Sequence, residues 1–238
     1  MNAEDLEKKR AAYLNFLKKQ PKGFTYYDAS TAKKPIEKVI PIAAQPSTDQ
    51  TKSTQLDSLN CKYTSCQACP LGSQGRTQVV FGKGSAEATL MFVGEGPGRD
   101  EDAQGAPFVG RSGKLLTQII EAMGLPRERV YISNVVKCRP PDNRTPLAAE
   151  SSTCKDLLLL KEIDIVQPKI ICTLGATATK ALLGDDIKIT ASRGVFVEWR
   201  GLLVLPTYHP AYLLRNPTEK RTVWEDMKKI MAKLEELQ

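Results

Sequence analysis

The chain has 238 residues, enough for one substantial buried core plus an appendage. Its 41% hydrophobic and 26% charged residues are ordinary for a globular protein, and no apolar run approaches the ~18 residues of a membrane helix. A net charge of +7, from 34 basic and 27 acidic residues, suits a polyanionic partner without specifying one, and the N-terminus lacks the apolar core of a secretory signal. The expected location is cytoplasmic, with no membrane partner.

Residues 1–58 read as an extension. Leu6, Tyr13, Leu14 and Leu17 allow one short amphipathic helix, and a Pro-, Ser-, Thr- and Lys-rich stretch follows it as a linker. From residue 59 to 238 the pattern alternates. TLMFVG (89–94) is a buried strand, SGKLLTQIIEAMG (112–124) a helix with Ser112 at its N-cap, and VYISNVV (130–136) a strand. A helix over 145–163 opens with Thr145 and Pro146 at its cap and first turn. KIICTLG (169–175) is a strand and ATATKALLG a helix ending at Gly184. VFVEW and LLVLP form a hairpin about Arg200-Gly201, and the tail is one amphipathic helix. Strands alternating with helices predict a three-layer α/β/α fold on a central, mostly parallel four-stranded sheet. Sites in such folds gather at the carboxyl ends of the strands.

Three loops follow predicted strands: GEGPGRDEDAQGAPFVGRSGK, NVVKCRPPDNR and TYHPAYLLRNP. The first is not a dinucleotide fingerprint, because Pro97 interrupts the turn and Arg99 replaces the third glycine. Nor is GAPFVGRS a nucleotide P-loop, since Arg111 stands in place of the lysine. The helix opening at Arg111, Ser112, Gly113 and Lys114 can still hold a phosphate on free N–H groups. The third loop carries the chain's only histidine, His209, which could simply cap the helix that follows.

Six cysteines in an intracellular protein point to metal or redox chemistry rather than disulfides. Cys66 and Cys69 form a C-x-x-C followed by Pro, Cys138 lies in KCRPP, and Cys154 falls on the next helix. Four thiolates can ligate zinc or an iron–sulfur cluster. Cys172, inside an apolar strand, reads as a core residue.

In family order, CQACPLG, GEGPGRDEDAQGAPFVGRSGKLL, VYISNVVKCRPPDNRTPL, Cys154 and TYHPAYLLRNP resemble the family 4 uracil-DNA glycosylases. The resemblance runs from about Cys66 to the final helix. It implies a 4Fe-4S cluster on Cys66, Cys69, Cys138 and Cys154, with a structural role. It also implies a monofunctional DNA repair enzyme that flips uracil out of single- or double-stranded DNA and hydrolyses its N-glycosidic bond with water. Such an enzyme would be monomeric and nucleoid-associated, with the N-terminal extension free to dock a protein partner.

The resemblance also assigns roles. His209 would donate a hydrogen bond to uracil O2 as negative charge develops there. Asn134 would read O4 and N3–H, a pattern cytosine reverses. Phe108 would stack on the flipped base, and Glu101 would exclude the thymine methyl near C5. Glu95 would orient water or stabilise the cationic sugar, with Gly96 contacting uracil through its backbone. Leu213 and Leu214 would fill the vacated space, one of them packing into the core, while Arg215, Arg111, Ser112 and Lys114 would hold phosphates. Lys83, Arg139 and Arg144 are further phosphate candidates. KCRPPDNRTPL carries no inserted histidine, which argues against relatives that cross-link to the abasic sugar, and GEGPG argues against family 5. A different class remains open: a non-catalytic iron–sulfur DNA-binding accessory factor, which would need no base pocket.

Overall fold

The structure is a computed structural model that describes residues 51–237, so the helix expected over residues 6–17 lies outside the described residues. In chain order come α1 (Lys52–Tyr63), β1 (Lys83–Gly84), β2 (Leu90–Gly94), α2 (Arg99–Gln104), α3 (Arg111–Ala122) and β3 (Tyr131–Asn134). Next are α4 (Ala148–Cys154), a π-helical turn (Lys155–Leu159), α5 (Leu160–Val166), β4 (Ile170–Leu174), α6 (Ala176–Leu183) and α7 (Ile189–Ser192). The chain closes with β5 (Val197–Trp199), β6 (Leu202–Thr207), α8 (Pro210–Arg215) and α9 (Glu219–Glu236). None of the described helices is long and apolar enough to cross a membrane.

The sheet runs β1-β3-β2-β4-β6-β5. Its centre is the anticipated set of four parallel strands, β3-β2-β4-β6, and an antiparallel strand is added at each edge. The hairpin of β5 and β6 turns at Arg200 (φ 51°) and Gly201 (φ 77°), the two left-handed residues a type I′ turn requires. Along β2, successive side chains face opposite sides. Met91 and Val93 join a core with α1, the π turn, α5 and α6, while Leu90 and Phe92 join another with α3, α8 and α9. These are the three layers.

Local differences from the sequence reading have simple causes. Helix α1 crosses residue 58 and buries Leu56 and Leu59 in the first core, so packed structure begins inside the expected extension. Ser112 is not an N-cap. Gly110 takes that position, with its carbonyl accepting from Lys114 N at 2.9 Å. Nor do Thr145 and Pro146 open α4, which starts at Ala148. There Glu150 reaches back to Leu147 N at 2.7 Å, so an acidic third residue does the capping.

The register decides where function can sit. Gly94 pairs with Asn134, Val93 with Thr173, and Leu174 with Thr207, so the four parallel strands end together. From β2 the chain goes to β3 on one side and later returns to β4 on the other, so a crevice opens where the order reverses.

Candidate active site

A cleft of about 620 Å³ occupies that crevice, and Glu95, Gly96, Phe108, Asn134 and His209 all line it. Residues more than a hundred positions apart are thus brought together by strand register alone. The close approach requires Gly94: a Cβ there would overlap both the Phe108 ring and Asn134 Oδ1.

Asn134 ends β3 with 2% of its surface exposed, and its Oδ1 has no hydrogen-bond partner. A buried, unpaired acceptor costs about 1–3 kcal/mol, so one at a cleft wall is poised for a donor from outside. His209 caps α8 through Nδ1, which accepts from Ala211 N at 3.0 Å. That contact leaves the neutral ring's proton on Nε2. Burial, with the nearby Arg215 charge, lowers its pKa from 6.5 to about 4, so the ring is neutral at physiological pH and Nε2–H is a donor. The capping role and a role in the cleft use different nitrogens and coexist.

Phe108 lies 5.6 Å from His209, centroid to centroid, at an interplanar angle of 31°. Its φ of 54° is unusual for a bulky residue and costs about 1–3 kcal/mol. Two side chains hold it there. Arg127 Nη2 donates to Pro107 O at 2.8 Å and Phe108 O at 3.1 Å. From the other side, Glu101 Oε1 accepts from Val109 N at 2.9 Å and Gly110 N at 2.8 Å, and Oε2 accepts from Gly98 N at 3.1 Å.

Glu101 also borders the cleft, and its carboxylate, engaged by three backbone N–H groups, fixes the Phe108 loop, a role the sequence did not signal. The reading of Leu213 is corrected: it is fully buried in the second core and cannot wedge into DNA, whereas Leu214 is 38% exposed. Arg111 and Lys114 are exposed at the start of α3, and Ser112 and Arg215 line the cleft. Arg144 grips Glu150 at 2.8 Å through both guanidinium ends, so it is not free for a phosphate. Lys83 sits on the edge strand, outside the residues that line the cleft.

Sequence reasoning missed several residues. Thr177, in the first turn of α6, donates its hydroxyl to Glu95 Oε2 and so sets that carboxylate's direction. Arg127 gave no signal beyond its charge. Leu147 and Tyr212 stand out only in the fold: with Leu214 they are the exposed large hydrophobics of the described residues. Tyr212 lines the cleft, and Leu147 follows its lining residues Thr145 and Pro146.

At the far end of the 134–138 segment, Cys66, Cys69, Cys138 and Cys154 line one small cavity with Arg76 and Lys137. Pro70 opens a 3-10 turn directly after Cys69, as the C-x-x-C-P pattern suggested. Arg76 Nη1 lies 3.0 Å from Cys138 Sγ, and Lys137 N donates to Cys154 Sγ at 3.3 Å. Burial raises both the Cys138 and Cys154 thiols, the latter to about 12, so a metal centre would have to displace their protons. Among the described residues no group of three or more His, Cys, Asp or Glu is placed to hold a metal ion at one point. Cys172 is fully buried in the sheet and Cys61 is exposed on α1.

A family model described as the uracil DNA glycosylase superfamily matches residues 81–228. A type-4 uracil-DNA glycosylase of Thermotoga maritima is 46% identical over 183 residues, covering 75% of this chain and 94% of that protein. One from Sulfurisphaera tokodaii is 47% identical over 184 residues, covering 74% and 83%, and one from Saccharolobus solfataricus is 42% identical over 188 residues, covering 75% and 86%. With its parallel strands ending at this cleft, the chain belongs to the uracil DNA glycosylase superfamily and groups with its type-4 members.

Proposed function

We propose that the protein is a monofunctional uracil-DNA glycosylase. The observation that carries this reading is the unpartnered Asn134 Oδ1, buried at the wall of a cleft that also holds Phe108 and His209. Uracil supplies what that wall lacks: N3–H for Oδ1, O4 for the carboxamide N–H, and a flat face for Phe108. The base must leave the stack to reach them. As the N1–C1′ bond breaks, its electron pair goes to the base, and His209 Nε2–H meets the charge growing on O2. A neutral donor suffices there, in keeping with a pKa near 4. Glu95, held by Thr177, orients the water that adds to C1′ or stabilises the cationic sugar, with Gly96 beside it. Arg215, Arg111, Ser112 and Lys114 hold phosphates, and Leu214 fills the space the base vacates.

Cys66, Cys69, Cys138 and Cys154 line one cavity and would hold the 4Fe-4S cluster that the family resemblance implies. When bound, the cluster would supply a cross-link between the Cys66–Cys69 turn, the Cys138 loop and α4. No step of base excision passes through it. We place the enzyme in the cytoplasm as a monomer, with the residues that precede α1 as an extension available to a protein partner.

The test uses labelled oligonucleotides carrying one uracil, thymine or hypoxanthine, incubated with the protein and then cleaved with hot alkali. Breakage only at uracil supports the proposal. DNA binding without breakage would replace it with the accessory-factor reading.

A further inference from the structure

Between the cleft and the cysteine cavity lies a buried ion pair that neither site's chemistry uses. Lys137 and Glu162 are both fully buried, with Nζ 2.6 Å from Glu162 Oε2. The ammonium also donates to Ser133 Oγ at 2.5 Å and to the Asn134 carbonyl at 2.9 Å. Glu162 accepts from Ser133 Oγ at 2.7 Å and, through Oε1, from Gly82 N at 2.9 Å. The same lysine's backbone N–H reaches Cys154 Sγ, and its carbonyl accepts from Val80 N at 2.7 Å. One residue therefore touches the backbone of Asn134 with its side chain and the thiol of Cys154 with its main chain.

The π turn explains how one helix grips that residue at two points. Cys154 and Glu162 are eight positions apart, which in an α-helix leaves them about 80° apart around the axis. The π turn at Lys155–Leu159 takes up one extra residue and brings the pair to within about 20°. Cys154 and Glu162 then lie on one face, and both meet Lys137. A desolvated pair whose two members are bonded to each other, to Ser133 and to backbone holds a single arrangement well, even where it adds little stability.

We propose that Lys137 is a positioning residue: through Cys154 and Glu162 on the π-interrupted helix, it couples the filled cysteine cavity to the setting of Asn134 in the base pocket. This rests on reading the cavity as the cluster site and the cleft as the uracil pocket. Loss of the cluster would loosen Cys154, then Lys137, then the end of β3.

The test compares the iron-loaded protein with Lys137→Met, with Lys137→Met/Glu162→Gln and with Cys154→Ser. The double variant removes both charges, so it stays informative if an unpaired Glu162 prevents the single variant from folding. Hydrogen–deuterium exchange of residues 131–138 is the first readout, alongside iron content and visible absorbance. Exchange should be slow in the wild type, faster once iron is chelated, and already fast in the lysine variant while iron remains bound. The second readout is kinetic: kcat/KM on single-uracil DNA should fall about ten- to a hundredfold in the lysine variant, as a misplaced contact group costs. Adding Cys154→Ser should then cost less than it does alone, because both changes act on one link. Unchanged exchange at 131–138 in an iron-loaded lysine variant, or independent, multiplicative losses, would overturn the coupling. If the wild type fails to cut uracil DNA, the glycosylase reading falls, while the exchange data still decide whether cavity and strand end are coupled.

Discussion

The candidate cleft and the cysteine cavity are joined by one short segment, residues 134–138, and are built on opposite rules. In the cleft, polar capacity is left open: Asn134 Oδ1 has no partner, His209 keeps Nε2–H free, and Phe108 is held in a strained conformation. Beside the cavity the buried ion pair is matched, with Lys137 and Glu162 satisfied by each other, by Ser133 and by backbone. A surface that must greet a ligand keeps unmet hydrogen bonds at a cost in stability, whereas one that must hold a shape meets them.

The sharpest way to break this contrast is Asn134→Ala. Since Oδ1 bonds nothing in the fold, uracil excision should fall by at least about a hundredfold while the melting temperature does not drop and visible absorbance stays unchanged. Loss of either would mean that Asn134 is structural too. The mirror experiment is Cys154→Ser, which should reduce iron content and lower the melting temperature by several degrees, roughly 2–4 °C per kcal/mol lost. Cys61→Ser, on an exposed site, should change neither.

Glu101→Gln probes the loop that joins the cleft to its scaffold. A neutral amide cannot accept from three backbone N–H groups as well as a carboxylate does, so excision of uracil should drop about tenfold. Thymine should remain uncut. Excision of thymine by this variant would show that Glu101 guards C5 directly.

The smallest expected effect is a titration. With a single histidine, one NMR resonance pair reports His209 alone, and its midpoint should lie near pH 4 rather than 6.5. Because the folded pKa is depressed, the unfolded chain binds the extra proton more readily. The stability linked to this ring is therefore fully present above about pH 6.5 and is lost as pH falls from there towards 4. A midpoint near 6.5 would place the ring in water and remove the neutral-donor argument.

Much of this was legible in the sequence because it is local. Apolar runs located the four parallel strands, Arg200-Gly201 located the hairpin, and Gly94, Asn134 and His209 fall within a residue or two of strand ends. Parallel pairing then needs only a common register to gather them. Cys66, Cys69, Cys138 and Cys154 were likewise singled out by motif and do line one cavity.

What the tertiary structure alone decided are choices between equivalent local options. Leu213 and Leu214 are neighbours of the same type, and only the packing of α8 buries the first and exposes the second. Glu101 is the middle of three consecutive acidic residues, and its role follows from where the N–H groups of Val109 and Gly110 fold back. Thr177 meets Glu95 across 82 residues of chain, and Glu162 meets Lys137 across 25 with a π turn in its helix. Composition, periodicity and capping signals act over one or two turns of chain. Burial and hydrogen-bond partnership are settled between segments that sequence distance does not relate.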